Sequence, residues 1–320
     1  MTPRTYPIVL AHGIARFDAL VDMVVGVDND DAFDHKHYFK NIRTHLNSLG
    51  FDTWHTQVDW AGPVATRASD LKRGVEAILQ KTGAAKVHII GHSMGGLDAR
   101  HMLFDNKSQG FHQKVASVTT IATPHQGSPV ADFVRNPIAF FRDRAEESVA
   151  SPEEQLEGLK DSDEFREFAR LFEIDPERFG APPSEDLESV SILAGLAGVL
   201  DLTTEATAAF NAASLEWEKT SGVSYQAYAG AQPRDQIFLP LRFAWSLIHD
   251  REGDNDGLVS VESAKWAREH FQKTLEADHL NELGWWPDIH DTVERARKEQ
   301  ESRAFYSNVA EGLAKRFPLP

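Results

Sequence analysis

The chain contains no cysteine. This absence excludes disulfide bonds, thiolate metal sites and a cysteine nucleophile. Basic residues are also few relative to acidic ones, since 33 Lys and Arg against 49 Asp and Glu give a formal net charge of -16. A net charge of that sign argues against nucleic acid as a partner and against docking on anionic lipid by bulk charge.

Long apolar runs and a targeting signal are missing as well. The most apolar stretch, residues 190–202, is interrupted by Ser191, two glycines and Asp201, so it is too short to span a bilayer. Residues 1–6 lack the charged, apolar and small-residue regions of a signal peptide. The chain as written therefore predicts a cytoplasmic protein without a transmembrane segment, or a secreted one if a leader has been removed.

The order of apolar patterns indicates the fold class. A length of 320 residues suffices for one large α/β domain with an inserted cap. Strand patterns alternate with helical ones, which predicts a mostly parallel sheet with helices on both faces. We predict strands over residues 6–11, 51–60, 87–90, 115–122, 223–230 and 273–277, helices over 38–49 and 64–79, and an irregular loop over 16–37.

The pattern changes between residues 130 and 211, where helical pieces follow one another without clear strands. The apolar residues Val134, Ile138, Phe140 and Phe141 precede a segment, residues 142–188, in which acids outnumber bases 16 to 6. Such a charge excess is typical of a solvated helical face. We therefore predict one α/β domain over residues 1–320, with residues 130–211 as a helical lid or cap; an ordinary packed helical subdomain is the alternative.

A glycine-flanked serine follows the strand pattern of residues 87–90. The spacing Gly91-x-Ser93-x-Gly95 is typical of a nucleophile elbow, in which the serine sits in strained backbone geometry above the sheet edge. The helix that begins at Met94 directs its free amides and its positive dipole end at charge formed beside Ser93. A glycine-rich turn without chemistry is the alternative, and the strand before it and the helix after it favour the catalytic interpretation.

A second break, at His12-Gly13, follows the first strand. In a serine hydrolase the loop after an early strand supplies one backbone amide of the oxyanion hole. We predict that the N–H groups of Ile14 and Met94 form that hole. His12 is predicted to position this loop through backbone hydrogen bonds, without transferring protons.

A serine hydroxyl needs a base to remove its proton, and the base needs a carboxylate that fixes its tautomer. In α/β-hydrolases the three arrive in the order Ser, acid, His, which Ser93, Asp256 and His279 satisfy. Asp256 is preferred because it lies at a turn, and His279 because it follows a predicted strand; His125 is interpreted as structural. The competing acids are Asp250, Glu252 and Asp254, and the competing bases are His270, placed in a predicted helix, and His290.

Several segments together resemble the bacterial true lipases of the Pseudomonas and Burkholderia type, which are α/β-hydrolases. The resemblance implies a triad of Ser93, Asp256 and His279, with oxyanion amides at Ile14 and Met94. The matching segments stand in family order at residues 7–13 (PIVLAHG), 91–96 (GHSMGG), 122–128 (ATPHQGS), 255–259 (NDGLV) and 278–280 (DHL).

One departure from this family concerns calcium. Those lipases typically carry an aspartate two residues after the catalytic histidine that helps to bind a structural calcium, and this chain has Asn281 there. Loss of a charged ligand weakens a site for a hard cation. We therefore predict no metal and no cofactor, with a lipid or ester as the small-molecule partner and transient contact with a lipid interface.

These observations lead to one functional hypothesis and its alternatives. The chain is predicted to be a carboxylic ester hydrolase, a triacylglycerol lipase, that acts through an acyl-enzyme on Ser93. A short-chain carboxylesterase or an acyltransferase would use the same triad. A hydrolase-fold protein kept for binding is the alternative of another class.

Overall fold

The computed structural model describes residues 4–14, 29–142, 150–171, 174–177, 179–180 and 197–319. Its centre is a six-stranded sheet with the strand order β2-β1-β3-β4-β5-β6, in which every neighbouring pair is parallel. The predicted parallel sheet is thus confirmed. The strands are β1 (Ile8–Ala11), β2 (Thr53–His55), β3 (Val87–His92), β4 (Val115–Ile121), β5 (Ser224–Gly230) and β6 (Phe271–Leu275).

Helices connect successive strands, as a parallel sheet requires. Among the described residues, none of them combines the length and apolar character needed to cross a bilayer. They are α1 (Ile42–Ser48), α2 (Val64–Thr82), α3 (Met94–Asp105), α4 (Pro129–Arg135), α5 (Pro137–Arg142), α6 (Pro152–Lys160), α7 (Asp163–Leu171), α8 (Ala197–Leu200), α9 (Thr204–Glu218), α10 (Arg242–Glu252), α11 (Val261–Ala264) and α12 (Thr292–Arg316).

Both faces of the sheet are buried. Ile8 and Leu10 of β1 belong to one apolar cluster, whereas Val9 and Ala11 belong to another. This alternation follows from the two-residue period of a strand, which directs successive side chains to opposite faces. Strands buried on both faces carry the continuous apolar runs by which β1, β3 and β4 were predicted.

The described residues between β4 and β5 contain the helices α4 to α9 and no strand. Phe133 forms the centre of their packing, with ring centroids 5.4 Å from Phe140 and 5.6 Å from Phe243 of α10. Helix α6 begins with a capping box between Ser151 and Glu154, as its sequence indicates. That residues 130–211 act as a lid stays a prediction, and residues 143–149, 172–173, 178 and 181–196 lie outside the described part.

The strand predicted over residues 51–60 and the loop predicted over residues 16–37 differ from the structure. The strand predicted over residues 51–60 pairs with β1 only at Thr53–His55, because Val58 N–H turns to the His12 Nε2 atom instead. In the loop predicted over residues 16–37, Asp31–Lys36 forms a 3-10 helix that the Asp30 side chain caps. Residues 16–28 of that loop lie outside the described residues.

Candidate active site

Ser93 occupies the turn between β3 and α3. Its backbone has φ 54° and ψ -132°, a strained conformation for a residue with a side chain. The turn is anchored by the Ser93 N–H, which donates to the Ile121 carbonyl oxygen at 2.9 Å. A Cβ atom on Gly91 would lie 2.7 Å from the Gly96 nitrogen, so glycine is required where the strand meets the helix. The geometry is that of a nucleophile elbow.

The loop after β1 lies directly against this serine. A Cβ atom on Gly13 would lie 2.6 Å from Ser93 Cβ. Ile14 and Ser93 line the same cavity, and Met94 is the first residue of α3. The first N–H groups of a helix have no partner within the helix, so this one is available to an anion beside the serine. The structure thus brings both predicted oxyanion residues to Ser93.

Asp256 and His279 form a buried pair. The Nδ1 atom of His279 lies 2.7 Å from Asp256 Oδ2, and both side chains are 0% exposed. The other carboxylate oxygen accepts hydrogen bonds from the N–H groups of Leu258 and Val259 at 2.8 and 2.7 Å. Asp256 is therefore held rigidly, and it orients the imidazole ring as an acid in a serine triad does.

The residue before the histidine has a role that the sequence analysis did not assign. Asp278 Oδ1 accepts hydrogen bonds from the N–H groups of Leu280 and Asn281 at 3.0 and 2.8 Å, and its Oδ2 accepts one from Phe238 N–H at 2.9 Å. Burial raises the pKa of Asp278 to about 6. Asp278 caps the turn that carries His279, and its place before a short polar helix is the signal that could have revealed this.

The competing acids and bases lie elsewhere. Asp254 and His290 are exposed. Glu252 hydrogen bonds to Ser260. His270, predicted in a helix, instead occupies a turn before β6, where its ring packs edge-on against Trp266 with centroids 5.0 Å apart. The helix prediction was wrong because α11 ends at Ala264, well before this position.

His12 and His125 are fully enclosed by other contacts. His12 Nε2 accepts from Val58 N–H at 3.3 Å, and its Nδ1 lies 2.9 Å from the Gly13 carbonyl oxygen. Burial lowers the pKa of His12 to about 3. His125 lies between Arg100 and Thr120, and burial lowers its pKa well below the ordinary value. Both rings are neutral hydrogen-bonding groups, in agreement with the structural roles we predicted.

The space beside Ser93 is narrow and apolar. It has a volume of about 30 Å³, enough for one or two water molecules. Helix α8 and the residues after it form one wall, tied down by hydrogen bonds from Gly198 N–H to Ala61 O and from Val64 N–H to Asp201 Oδ2. The lining residues are Ile14, Ser93, Pro124, Ser128, Val130, Ala131, Val199, Leu202, Leu258 and Val259.

A larger groove of about 660 Å³ lies between β2 and α2. Trp54, Trp60 and Arg73 are among its lining residues, and Ser93 is not. Its size alone does not make it the reaction site. Ser93 and Ile14 line the smaller cavity, so we assign the chemistry there.

Two features near His279 concern metal binding, a cluster of three possible ligand residues and the side chain of Asn281. Among the described residues, His92, His279 and Glu282 bring ligand atoms within 4.8 Å of one another. However, His92 and Glu282 already hydrogen bond to each other at 2.9 Å, and burial raises the pKa of Glu282, which disfavours the anion that a metal ion needs. Asn281 Nδ2 donates to the Trp285 carbonyl oxygen at 2.8 Å, so this carboxamide serves the local turn.

Comparison with known proteins establishes the family. A triacylglycerol lipase from Vibrio cholerae is 31% identical to this chain over 308 residues, which cover 92% of this chain and 84% of that protein. The chain belongs to the lipase family of the α/β-hydrolases. The enzyme is thus an ester hydrolase with a serine nucleophile, and the predicted fold class, enzyme class and family resemblance are confirmed.

Further matches agree with this assignment. Residues 64–210 of the enzyme match the PGAP1-like alpha/beta domain. A triacylglycerol lipase from Burkholderia plantarii is 40% identical over 135 residues, which cover 41% of this chain and 33% of that protein. The crystal structure of mature Bacillus licheniformis lipase superposes with a TM-score of 0.55 at 18% identity, covering 87% of this chain and 86% of that one, and supports the fold alone.

Proposed function

We propose that this enzyme hydrolyses acylglycerol esters with Ser93 as nucleophile, His279 as general base and Asp256 as the orienting acid. The observation that carries the proposal is the 2.7 Å contact between His279 Nδ1 and Asp256 Oδ2. The three residues also follow one another along the chain in the order Ser, acid, His that an α/β-hydrolase requires. The N–H groups of Ile14 and Met94 bind the oxyanion. No metal and no cofactor takes part.

The reaction proceeds in two halves. Ser93 Oγ attacks the ester carbonyl carbon while His279 removes its proton, and Asp256 stabilises the imidazolium that forms. The tetrahedral intermediate collapses when His279 returns the proton to the leaving alcohol, which leaves an acyl group on Ser93. Water then attacks this acyl-enzyme with His279 again as base, and the carboxylic acid departs.

The cavity and the relatives both support an acylglycerol as the substrate class. The cavity walls are mostly apolar side chains, among them Val130, Val199 and Leu258, which suit a hydrocarbon chain. The relative from Vibrio cholerae bears the name triacylglycerol lipase. We therefore extend this substrate class to the present enzyme, with the lipid surface as a transient partner.

The size of the cavity supports a lid. At about 30 Å³ it is too small for a long acyl chain, so we propose that α8 moves before such an ester reaches Ser93. Contact with a lipid surface would favour that movement because it buries the apolar underside of the helix. We propose that residues 130–211 act as this lid within one domain.

The same narrow cavity also suits a second candidate, a carboxylesterase for short acyl chains. Rates with nitrophenyl esters of two to sixteen carbons, each measured below and above the concentration at which the substrate forms an emulsion, separate the two. A lipase gains activity with the emulsion and with chain length. A preference limited to short soluble esters would favour the esterase.

The assignment of Ser93 is tested by labelling and turnover. Wild-type enzyme should react with a fluorophosphonate probe, and Ser93→Ala should neither be labelled nor turn over, with kcat roughly a million-fold lower. Ser128→Ala is the matched control, because Ser128 lines the same cavity and its hydroxyl donates to the Leu258 carbonyl oxygen. Labelling of Ser93→Ala at the wild-type rate would overturn the proposal.

A further inference from the structure

A chain of buried polar groups lies behind the active site, and the proposed reaction uses none of its side chains. Tyr38 Oη lies 2.8 Å from His92 Nδ1, and His92 Nε2 lies 2.9 Å from Glu282 Oε2. Tyr38 Oη also lies against Gly13, where an added Cβ atom would be only 2.7 Å away. The three side chains are 2% exposed or less. Buried polar side chains are in general hydrogen-bonded to other groups of the protein.

Each ring nitrogen of His92 has one partner in this chain, the Tyr38 hydroxyl at Nδ1 and the Glu282 carboxyl at Nε2. Burial and the neighbouring His279 hold the pKa of His92 well below its ordinary value. The ring is therefore neutral, so one of its nitrogens donates a hydrogen bond and the other accepts one.

Glu282 is the last member of this hydrogen-bonded series, and it lies on the turn that carries His279, the proposed base. It lies three residues after His279, its N–H donates to the Asp278 carbonyl oxygen at 3.2 Å, and its own carbonyl oxygen accepts from Tyr306 Oη at 3.1 Å. Burial raises the pKa of Glu282 well above the ordinary value, and the charges of Asp256 and Asp278 raise it further. This carboxyl is thus neutral, and it can form the hydrogen bond with His92 as acceptor or as donor.

The two ends of the chain belong to different parts of the proposed machinery. Gly13 directly precedes Ile14, whose N–H we assign to the oxyanion hole, and Glu282 belongs to the turn of His279. We propose that Tyr38 is a positioning residue which, through His92 and Glu282, fixes the oxyanion loop relative to the general base. This inference rests on the proposed function, because it concerns the distance between two of its groups.

Oxyanion stabilisation depends on accurate distances, so a link that fixes the loop of Ile14 relative to His279 should affect the rate. Oxyanion donors act when they lie about 2.7–3.1 Å from the oxygen that becomes charged. A displacement of about 1 Å can lower the rate roughly a hundredfold. Gly13 and Glu282 follow different strands, β1 and β6, and the backbone between them is long. The hydrogen-bonded side chains span that separation directly.

The main test replaces Tyr38 by phenylalanine, which removes the hydroxyl and keeps the ring. We expect kcat for a soluble nitrophenyl ester to fall roughly ten- to a hundredfold, less than the 10²–10³ lost with an oxyanion donor itself, while KM is unchanged. An alkyl trifluoromethyl ketone, which forms a tetrahedral adduct with the serine, should bind more weakly by the same factor. Tyr225→Phe is the control, since Tyr225 is a buried tyrosine whose hydroxyl lies 3.3 Å from Ser221 Oγ, away from the site.

Substitutions at the other end test the link itself. Glu282→Gln keeps a neutral hydrogen-bonding group for His92, so kcat should stay within about threefold of wild type. Glu282→Leu removes that group and should resemble Tyr38→Phe, and the double variant Tyr38→Phe with Glu282→Leu should lose no more than the worse single variant. If Glu282→Leu does not fold, Tyr38→Phe decides alone, with rates normalised to active sites by titration.

The outcomes separate this inference from the proposed function. Wild-type enzyme that resists the fluorophosphonate probe would refute the proposed function. If wild type is labelled, and Tyr38→Phe matches it in kcat and in affinity for the ketone, only the positioning role fails. Losses that multiply in the double variant would also overturn it, because two groups acting through one chain cannot act independently.

Discussion

Arg67 of α2 and Asp98 of α3 form an ion pair in which both side chains are fully buried. Arg67 Nη2 lies 2.8 Å from Asp98 Oδ2, and the same guanidinium group donates to the carbonyl oxygens of His12 at 2.9 Å and Asp59 at 2.6 Å. The pair therefore ties the elbow helix to the loop that leads into Ile14.

Removal of one partner of this pair should lower the free energy of unfolding. Arg67→Met leaves Asp98 buried without its cation, so the free energy of unfolding should fall by roughly 3–5 kcal/mol. Replacing both residues, with Arg67→Met and Asp98→Leu, should recover part of that loss. Urea denaturation measures all three values. The exposed Arg166 is the control, because its contact with Asp163 is open to solvent and Arg166→Met should cost less than about 1 kcal/mol. Equal losses at the two arginines would contradict this account.

Loss of the Asp256 carboxylate should lower kcat even though Ser93 is unchanged. Asp256→Asn should lower kcat roughly 10⁴-fold, because an amide no longer fixes the imidazole tautomer or stabilises the imidazolium. Labelling by the fluorophosphonate should slow in parallel. Asp254→Asn changes an exposed carboxylate two residues away and should leave kcat near wild type. A larger loss at position 254 would assign the acid there.

Two histidines can be compared directly. His279→Gln should reduce kcat nearly as far as Ser93→Ala does, since either change disables the same nucleophile. His125→Gln should lower stability, because His125 bridges Thr120 and Arg100, while kcat per active site stays within about tenfold of wild type. Steady-state kinetics with thermal unfolding measures both effects. The reverse order of kcat losses would transfer the base to position 125.

Buried histidines should lower the stability of the fold as the pH falls below about 6.5. Burial lowers the pKa of several histidines, to about 3 in His12 and His88 and about 4 in His101. Because these histidines stay neutral in the folded protein, they do not reduce its stability above the unfolded pKa of roughly 6.5. Below that pH the unfolded chain binds protons that the folded protein does not, so each histidine lowers the free energy of unfolding by about 1.4 kcal/mol per pH unit. Asp98 and Asp278, whose pKa burial raises to about 6, act in the opposite direction as pH falls from 6 to 4.

His88 offers the clearest test of this pH dependence. It is buried between Thr5 Oγ1 and Ser117 Oγ, at 2.9 and 2.7 Å. His88→Gln removes its titration, so the free energy of unfolding between pH 6 and 4 should change less steeply by about 1.4 kcal/mol per pH unit. The exposed His290→Gln should leave the slope as it is. Urea denaturation at pH 7, 5.5 and 4.5 gives the slopes, and equal slopes for wild type and His88→Gln would refute the explanation.

Local patterns predicted most of the regular elements. The strands β3, β4 and β5 lie within two residues of their predicted bounds, because buried parallel strands carry short continuous apolar runs. Helix α2 begins at Val64 as its apolar face indicates. Predictions failed where side chains decide the path, as at Val58, which bonds to His12 and not to a neighbouring strand.

The amino-acid sequence alone indicated the elbow, because Gly91 and Gly95 stand two residues either side of Ser93 and leave room for the sharp turn. It also indicated which acid and base to combine, since Asp256 and His279 follow the order that the fold imposes. Only the tertiary structure decided that Arg67 contacts the loop before Ile14, that Tyr38 lies between Gly13 and His92, and that Val199 of α8 lines the cavity beside Ser93. These contacts join elements distant along the chain, and their partners depend on how the helices pack against the sheet, which no local pattern contains.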